Sequence, residues 1–111
     1  MDKKSLINLR GMDCSPELEE KFNTWYNKRH IPMLLEIGEI KRVTRYKRVG
    51  DDKGYPKYLA VYEFENKEAF NRYNTSPKIA VAIEDLKQTF SEGGVESKWR
   101  VQYEVIKTWE R

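Results

Sequence analysis

Apolar and polar side chains alternate over Leu6-Ile7-Asn8-Leu9-Arg10, with Ile7 and Leu9 on one face and Asn8 and Arg10 on the other. A period of two predicts a strand over 5–10, followed by a loop at 11–14. The period then lengthens. Leu18, Phe22, Trp25 and Arg29 recur at helical spacing, and the Arg29 stem can lie over the aromatics. Ser15-Pro16 opens this helix, because serine can cap free amides and proline at the first helical position has no amide to lose. Glu17, Glu19 and Glu20 suit the positive end of the helix dipole. Pro32 disfavours helical backbone at Ile31. The helix is therefore predicted to end near His30, with an irregular turn at Met33-Leu34-Leu35 before Gly38.

Alternation returns over 40–49, with Val43 and Val49 against Thr44 and Tyr46, and again over 57–65. The turn formers between them, residues 50–56, are few enough to predict an antiparallel hairpin. Asn66 can cap a short helix carrying Phe70 and Tyr73. Ser76-Pro77 repeats the earlier helix start, and Ile79, Ile83, Leu86 and Phe90 then share a stripe that Gly93-Gly94 ends. The last strand, 98–109, alternates Trp99, Val101, Tyr103 and Val105 with Arg100, Gln102 and Glu104. The order is βαββαβ. It predicts one α+β domain over 1–111 of ferredoxin-like type, with a four-stranded antiparallel sheet and both helices on one face.

Two helices shelter only one side of such a sheet. Yet the third strand is apolar on both sides, with Tyr58, Ala60, Tyr62 and Phe64 facing one way and Leu59 and Val61 the other. A strand buried on both faces has this pattern. The uncovered face is expected to meet the same face of a second copy, since two-fold homodimers are the commonest oligomers. The two sheets would then enclose a cavity.

Composition narrows the partners. Charged residues make up 35% of the chain, but the net charge is only +3. The cluster Lys41, Arg42, Arg45, Lys47 and Arg48 reads as alternating strand positions rather than a nucleic-acid surface. Cys14 is the single cysteine, which fits a reducing compartment and excludes an intrachain disulfide. No apolar run is long enough to span a membrane. Residues 1–6 lack the features of a signal peptide, so a cytoplasmic location is expected. One histidine and one cysteine cannot build a usual transition-metal site. No phosphate-loop or dinucleotide glycine pattern occurs, and no cofactor is expected. Cys14 precedes a helix start, a setting that can lower a thiol pKa, but no base stands near it in sequence.

His30 is the one side chain whose ordinary pKa lies near neutrality. Tyr26 stands one turn before it. The pair suggests general acid–base work by His30, with Tyr26 or Tyr46 orienting it or donating to a developing oxyanion. Trp25, Tyr62, Trp99 and Tyr103 can line an apolar pocket. Asn8, Arg10, Arg42 and Arg100 are possible contacts for an acidic ligand. The structural alternatives are a helix-end cation for His30 and ordinary core or dimer packing for the aromatics.

The element order, Trp25-Tyr26, His30-Ile31-Pro32, Tyr46 and the aromatic third strand together resemble the dimeric α/β-barrel superfamily, most of all its EthD-like members. In those proteins a first helix commonly ends in His-(Ile/Met)-Pro. The resemblance implies a homodimeric barrel that binds a small hydrophobic or aromatic carbonyl compound. It also implies cofactor-independent acid–base chemistry of the cyclase, isomerase or decarboxylase type at His30, since polyketide cyclases of the superfamily use a His and Tyr pair. A cofactor-free monooxygenase of activated phenols and a non-catalytic ligand-binding protein are the alternatives. Haem-degrading members combine a first-strand Asn with a third-strand Trp and a second-helix His. Here only Asn8 matches.

Overall fold

β1 (Leu6–Cys14) occupies the middle of the sheet in a computed structural model that describes residues 4–111. Met1–Lys3, the start of the stretch read as lacking a leader, lie outside the described residues. β1 pairs antiparallel with β3 (Tyr58–Phe64) on one side and β4 (Val95–Glu104) on the other. β2 (Ile40–Lys47) lies outside β3, giving the order β2-β3-β1-β4 and the predicted hairpin. This is the ferredoxin-like α+β arrangement. No helix among the described residues is long and apolar enough to cross a membrane.

β1 runs straight through the predicted loop at 11–14. Met12 is buried there, and the strand end is held by side-chain and backbone bonds. Asp13 Oδ1 accepts the Lys57 amide at 2.7 Å, and the Ser15 amide donates to the Gly94 carbonyl at 2.7 Å. A bulge between Gly11 and Met12 shifts the register against β4. Gly11 has a packing reason: a Cβ there would come within 2.6 Å of Pro56 Cγ and 2.9 Å of the Trp99 ring.

The first helical segment departs most from expectation. Ser15 makes no side-chain cap bond, and a 3₁₀ turn (Pro16–Leu18) leads into α1 (Glu19–Trp25). The backbone does not stop at His30. It widens into a π turn (Tyr26–His30), in which the Ile31 amide donates to the Tyr26 carbonyl five residues back, and continues as α2 (Ile31–Leu35). Pro32 lacks an amide, and its ring would crowd the carbonyl four residues earlier in a regular helix. The wider turn immediately upstream accommodates it, so Ile31 keeps helical angles of −61° and −46°.

The second helical segment follows the sequence more closely. Asn66 Oδ1 caps α3 (Lys67–Asn74) by accepting the Ala69 amide at 2.9 Å, and Ser76 Oγ caps α4 (Pro77–Thr89) by accepting the Lys78 amide at 3.2 Å. In α4 the inward stripe is Ile79, Ala82, Leu86 and Phe90, which leaves Ile83 exposed. β2 and β4 end sooner than predicted, so Val49 and Trp109 lie outside the sheet.

Leu6, Asn8, Met12, Tyr58, Ala60, Tyr62 and Phe64 form the buried face of the sheet, beneath Phe22, Trp25, Tyr26, Leu34, Phe70 and Tyr73. The opposite face carries Ile7 and Leu9, Leu59 and Val61, and Trp99, Val101 and Tyr103 in register.

Candidate functional site

The π turn decides where the histidine sits. In an unbroken α-helix, five residues at about 100° each separate two side chains by roughly 140°. The wider turn instead gathers residues five apart onto one side. The His30 and Trp25 rings stack with centroids 4.5 Å apart and planes inclined by 22°. Tyr26 meets the same imidazole edge-on at 5.0 Å. All three side chains are buried, His30 with 4% exposure.

Asp85 on α4 fixes the far side of this cluster. Trp25 Nε1 donates to Asp85 Oδ2 at 2.9 Å, and Arg29 Nε donates to both carboxylate oxygens at 3.0 and 2.9 Å. The Arg29 guanidinium holds the Asp85 carboxyl below its usual range, and the Trp25 bond assists.

On the sheet side, the Tyr26 and Tyr62 hydroxyls share a hydrogen bond. Burial raises both phenols, Tyr62 well above its ordinary value, and pushes neighbouring Tyr73 up to about 12. All three therefore stay protonated at neutral pH and can donate. The Arg45 guanidinium lies over the Tyr26 ring at 4.3 Å and donates through Nη1 to Asn27 Oδ1 at 2.8 Å.

Asn8, 2% exposed, accepts a 2.8 Å bond from Gln102 Nε2 across β1 and β4. Arg10 lies two residues further along the same face and reaches Ser97 Oγ through Nη2 at 3.3 Å. Two buried side-chain polar atoms lack a partner among the described residues: Arg10 Nε and His30 Nδ1. Burial, then the Arg10 charge, holds His30 down at about 4, against a smaller opposing pull from Asp85. The imidazole is neutral at pH 7. A neutral imidazole nitrogen can take a proton, the Arg10 charge can stabilise the resulting anion, and the phenols can donate to it.

A family model described as a domain of unknown function, DUF4286, matches residues 10–104. The chain belongs to the DUF4286 family. No curated protein matches it by sequence. Solved structures share its fold at low identity. An ethyl tert-butyl ether D (EthD) family protein from Bacillus halodurans is 13% identical, with a TM-score of 0.65 over 93% of this chain and 99% of that one. A hydroxynitrile lyase from Passiflora edulis is 16% identical, with a TM-score of 0.69 over 99% and 100%. SnoaB, a cofactor-independent oxygenase from Streptomyces nogalater, is 14% identical, with a TM-score of 0.62 over 100% of both chains. This DUF4286 chain thus has the EthD-like, ferredoxin-like fold that its sequence resembles.

The DUF4286 fold brings together six of the residues singled out from sequence: Asn8, Arg10, Trp25, Tyr26, His30 and Tyr62. It separates three others. Tyr46, Trp99 and Tyr103 lie on the opposite face of the sheet, Trp99 and Tyr103 opposite Gly11 and Ile7 and Tyr46 opposite Leu59. Tyr46 is 54% exposed and cannot reach His30 through the sheet. The cluster itself lies between the sheet and helices of one chain, not between two sheets. His30 is no helix-end cation either, since helical backbone continues past it and its ring is neutral. Burial raises the Cys14 thiol, with Glu19 adding to the effect, against the expected lowering. The sequence reading missed Asp85, Tyr73 and a site role for Gln102. Asp85 had one signal: with Glu84 it brings the first acids into an otherwise apolar and basic helix start.

Proposed function

We propose that this protein binds a small hydrophobic or aromatic carbonyl compound between its sheet and helices and removes an acidic proton from it with His30. No cofactor enters the step. The observation that carries this reading is the pair of buried, unpartnered nitrogens on His30 and Arg10. Buried polar groups are ordinarily satisfied, and a ligand offering an acidic C–H or O–H to Nδ1 and an oxygen to Nε satisfies both. Tyr62 or Tyr26 supplies a second donor to the enolate or phenolate oxygen. Cyclisation, isomerisation and decarboxylation all proceed through such an anion. So does a cofactor-free oxygenation, in which the electron-rich anion itself reduces oxygen. Two structural neighbours, a hydroxynitrile lyase and a cofactor-independent oxygenase, are compatible with both branches.

We further propose a homodimer joined through the open sheet face. Its partly exposed aliphatic and aromatic positions form the kind of contiguous patch that monomers seldom leave uncovered.

The deciding experiment is deuterium exchange. Aromatic 1,3-dicarbonyl compounds are incubated with the protein in D₂O and followed by proton NMR. The expected result is protein-dependent exchange at the acidic carbon, reduced about 100-fold or more in His30→Gln. Equal exchange by the folded variant overturns the base assignment, and binding without exchange favours a purely ligand-binding protein. An oxygen electrode with a quinol substrate separates the oxygenase branch from the others.

A further inference from the structure

The sheet face beneath the helices carries an arrangement that a self-sufficient core would avoid. Arg10 on β1 and Arg100 on β4 are direct cross-strand partners, so both guanidinium groups stand on the same face. Like charges placed opposite each other destabilise a strand pair. Neither is within ion-pair distance of a carboxylate among the described residues; the five ion pairs there involve other groups. Arg10 is half-buried with its Nε unpartnered, whereas Arg100 is exposed. On that face the pair lies next along β1 and β4 from Asn8 and Gln102, which are themselves joined by a hydrogen bond. β4 is an edge strand, and its residues on this face, Arg100, Gln102 and Glu104, are exposed. The β4 edge is therefore the side on which the helix-covered face of the sheet meets solvent, and two uncompensated cations stand there.

We infer that the ligand is an organic carboxylate, its anionic end held between Arg10 and Arg100 and its apolar, carbonyl-bearing body directed toward His30. The inference rests on the proposed reading of His30 as the base and names the substrate class for that site. A planar carboxylate matches the planar donor edge of a guanidinium. The aromatic side chains beyond the arginines call for an apolar body attached directly to that anion. The bound anion also removes the repulsion between the two strands.

Benzoate, its neutral isostere benzamide, and phenyl phosphate are titrated into the full chain by calorimetry. In parallel, NMR follows the His30 ring, the single imidazole of the chain. Benzoate is expected to bind at millimolar concentration or below and more tightly than either comparison compound. It should lose about tenfold or more in Arg100→Gln, an exposed position whose replacement leaves the core intact. Benzamide should be indifferent to that change. Undetectable benzoate binding, benzamide binding equal to benzoate, tighter binding of phenyl phosphate, or an unaltered benzoate affinity in Arg100→Gln each overturns the inference. The NMR arm tests the base assignment separately. Arg100-dependent benzoate binding that leaves the His30 resonances unmoved would uphold the arginine site and dissociate it from His30. His30 resonances that move equally with benzamide, independently of Arg100, would uphold the His30 site and overturn the carboxylate.

Discussion

His30 lies nearly flat against Trp25, and that indole is in turn hydrogen-bonded to Asp85 on a different helix. The imidazole is thus held by a ring that is itself anchored, while its Nδ1 makes no protein bond. Such a group is positioned without being occupied, the condition a general base requires.

The first prediction concerns charge. His30 has a folded pKa of about 4, below its ordinary 6.5, because burial and Arg10 disfavour the imidazolium. The unfolded chain therefore binds the proton more readily. Its stabilising effect is complete above pH 6.5 and is lost progressively as pH falls from there toward 4. The loss approaches about 3 kcal/mol at the acid end. NMR titration of the ring should report the low pKa directly. Urea denaturation at pH 7 and pH 4.5 should show a smaller difference for His30→Gln than for the natural chain.

Asp85→Asn should act on both Trp25 and His30. It removes the carboxylate that accepts from Trp25 Nε1 and from Arg29. Arg29 is largely exposed, so its ion pair contributes little; the Trp25 bond should account for most of a loss of about 1 kcal/mol. Asp85 also supplies a pull that raises the His30 pKa. The ring should consequently titrate at still lower pH in the variant, and a rise would contradict this electrostatic account.

The Tyr26–Tyr62 hydrogen bond is fully buried. Tyr26→Phe or Tyr62→Phe alone strands the other hydroxyl and should destabilise by about 1–3 kcal/mol. The double variant removes both groups and should be less destabilised than the sum of the two. Chemical denaturation of the four proteins forms a double-mutant cycle, and strict additivity would argue against a functional pair.

Light scattering tests the open sheet face. The expected particle is twice the 13.3 kDa chain mass. Val101→Asp sets a charge on the β4 edge strand of that face, opposite Leu9. It should yield the single-chain mass while leaving the far-ultraviolet dichroism unchanged, because the helices pack on the other side.

The fold was legible because strand alternation and helix caps are local signals. Asn66 and Ser76 cap the helices that their sequence positions announce. The limits of β1 were not legible, because Met12 is buried by contacts with distant elements and its short neighbours look like a loop. The Tyr26-to-His30 spacing pointed to two rings that do meet. The face assigned to Tyr46, Trp99 and Tyr103 was a different matter. Their alternation reveals which residues share a side, but not which side the helices choose. Asp85 reaches Trp25 across sixty positions of sequence, and no local pattern encodes that bond.

The π turn has one more consequence. A turn of this kind amounts to a single residue slipped into a regular coil, so the phase of His30 is written in chain length and not in any one side chain. Deleting Lys28, which is exposed and remote from the cluster, would restore the ordinary repeat and swing the imidazole about 100° around the axis. Every aromatic ring would remain in the gene, yet the base would point elsewhere. Among family members, a one-residue gap between Trp25 and Pro32 should therefore mark loss of the proposed chemistry more sharply than many replacements around His30.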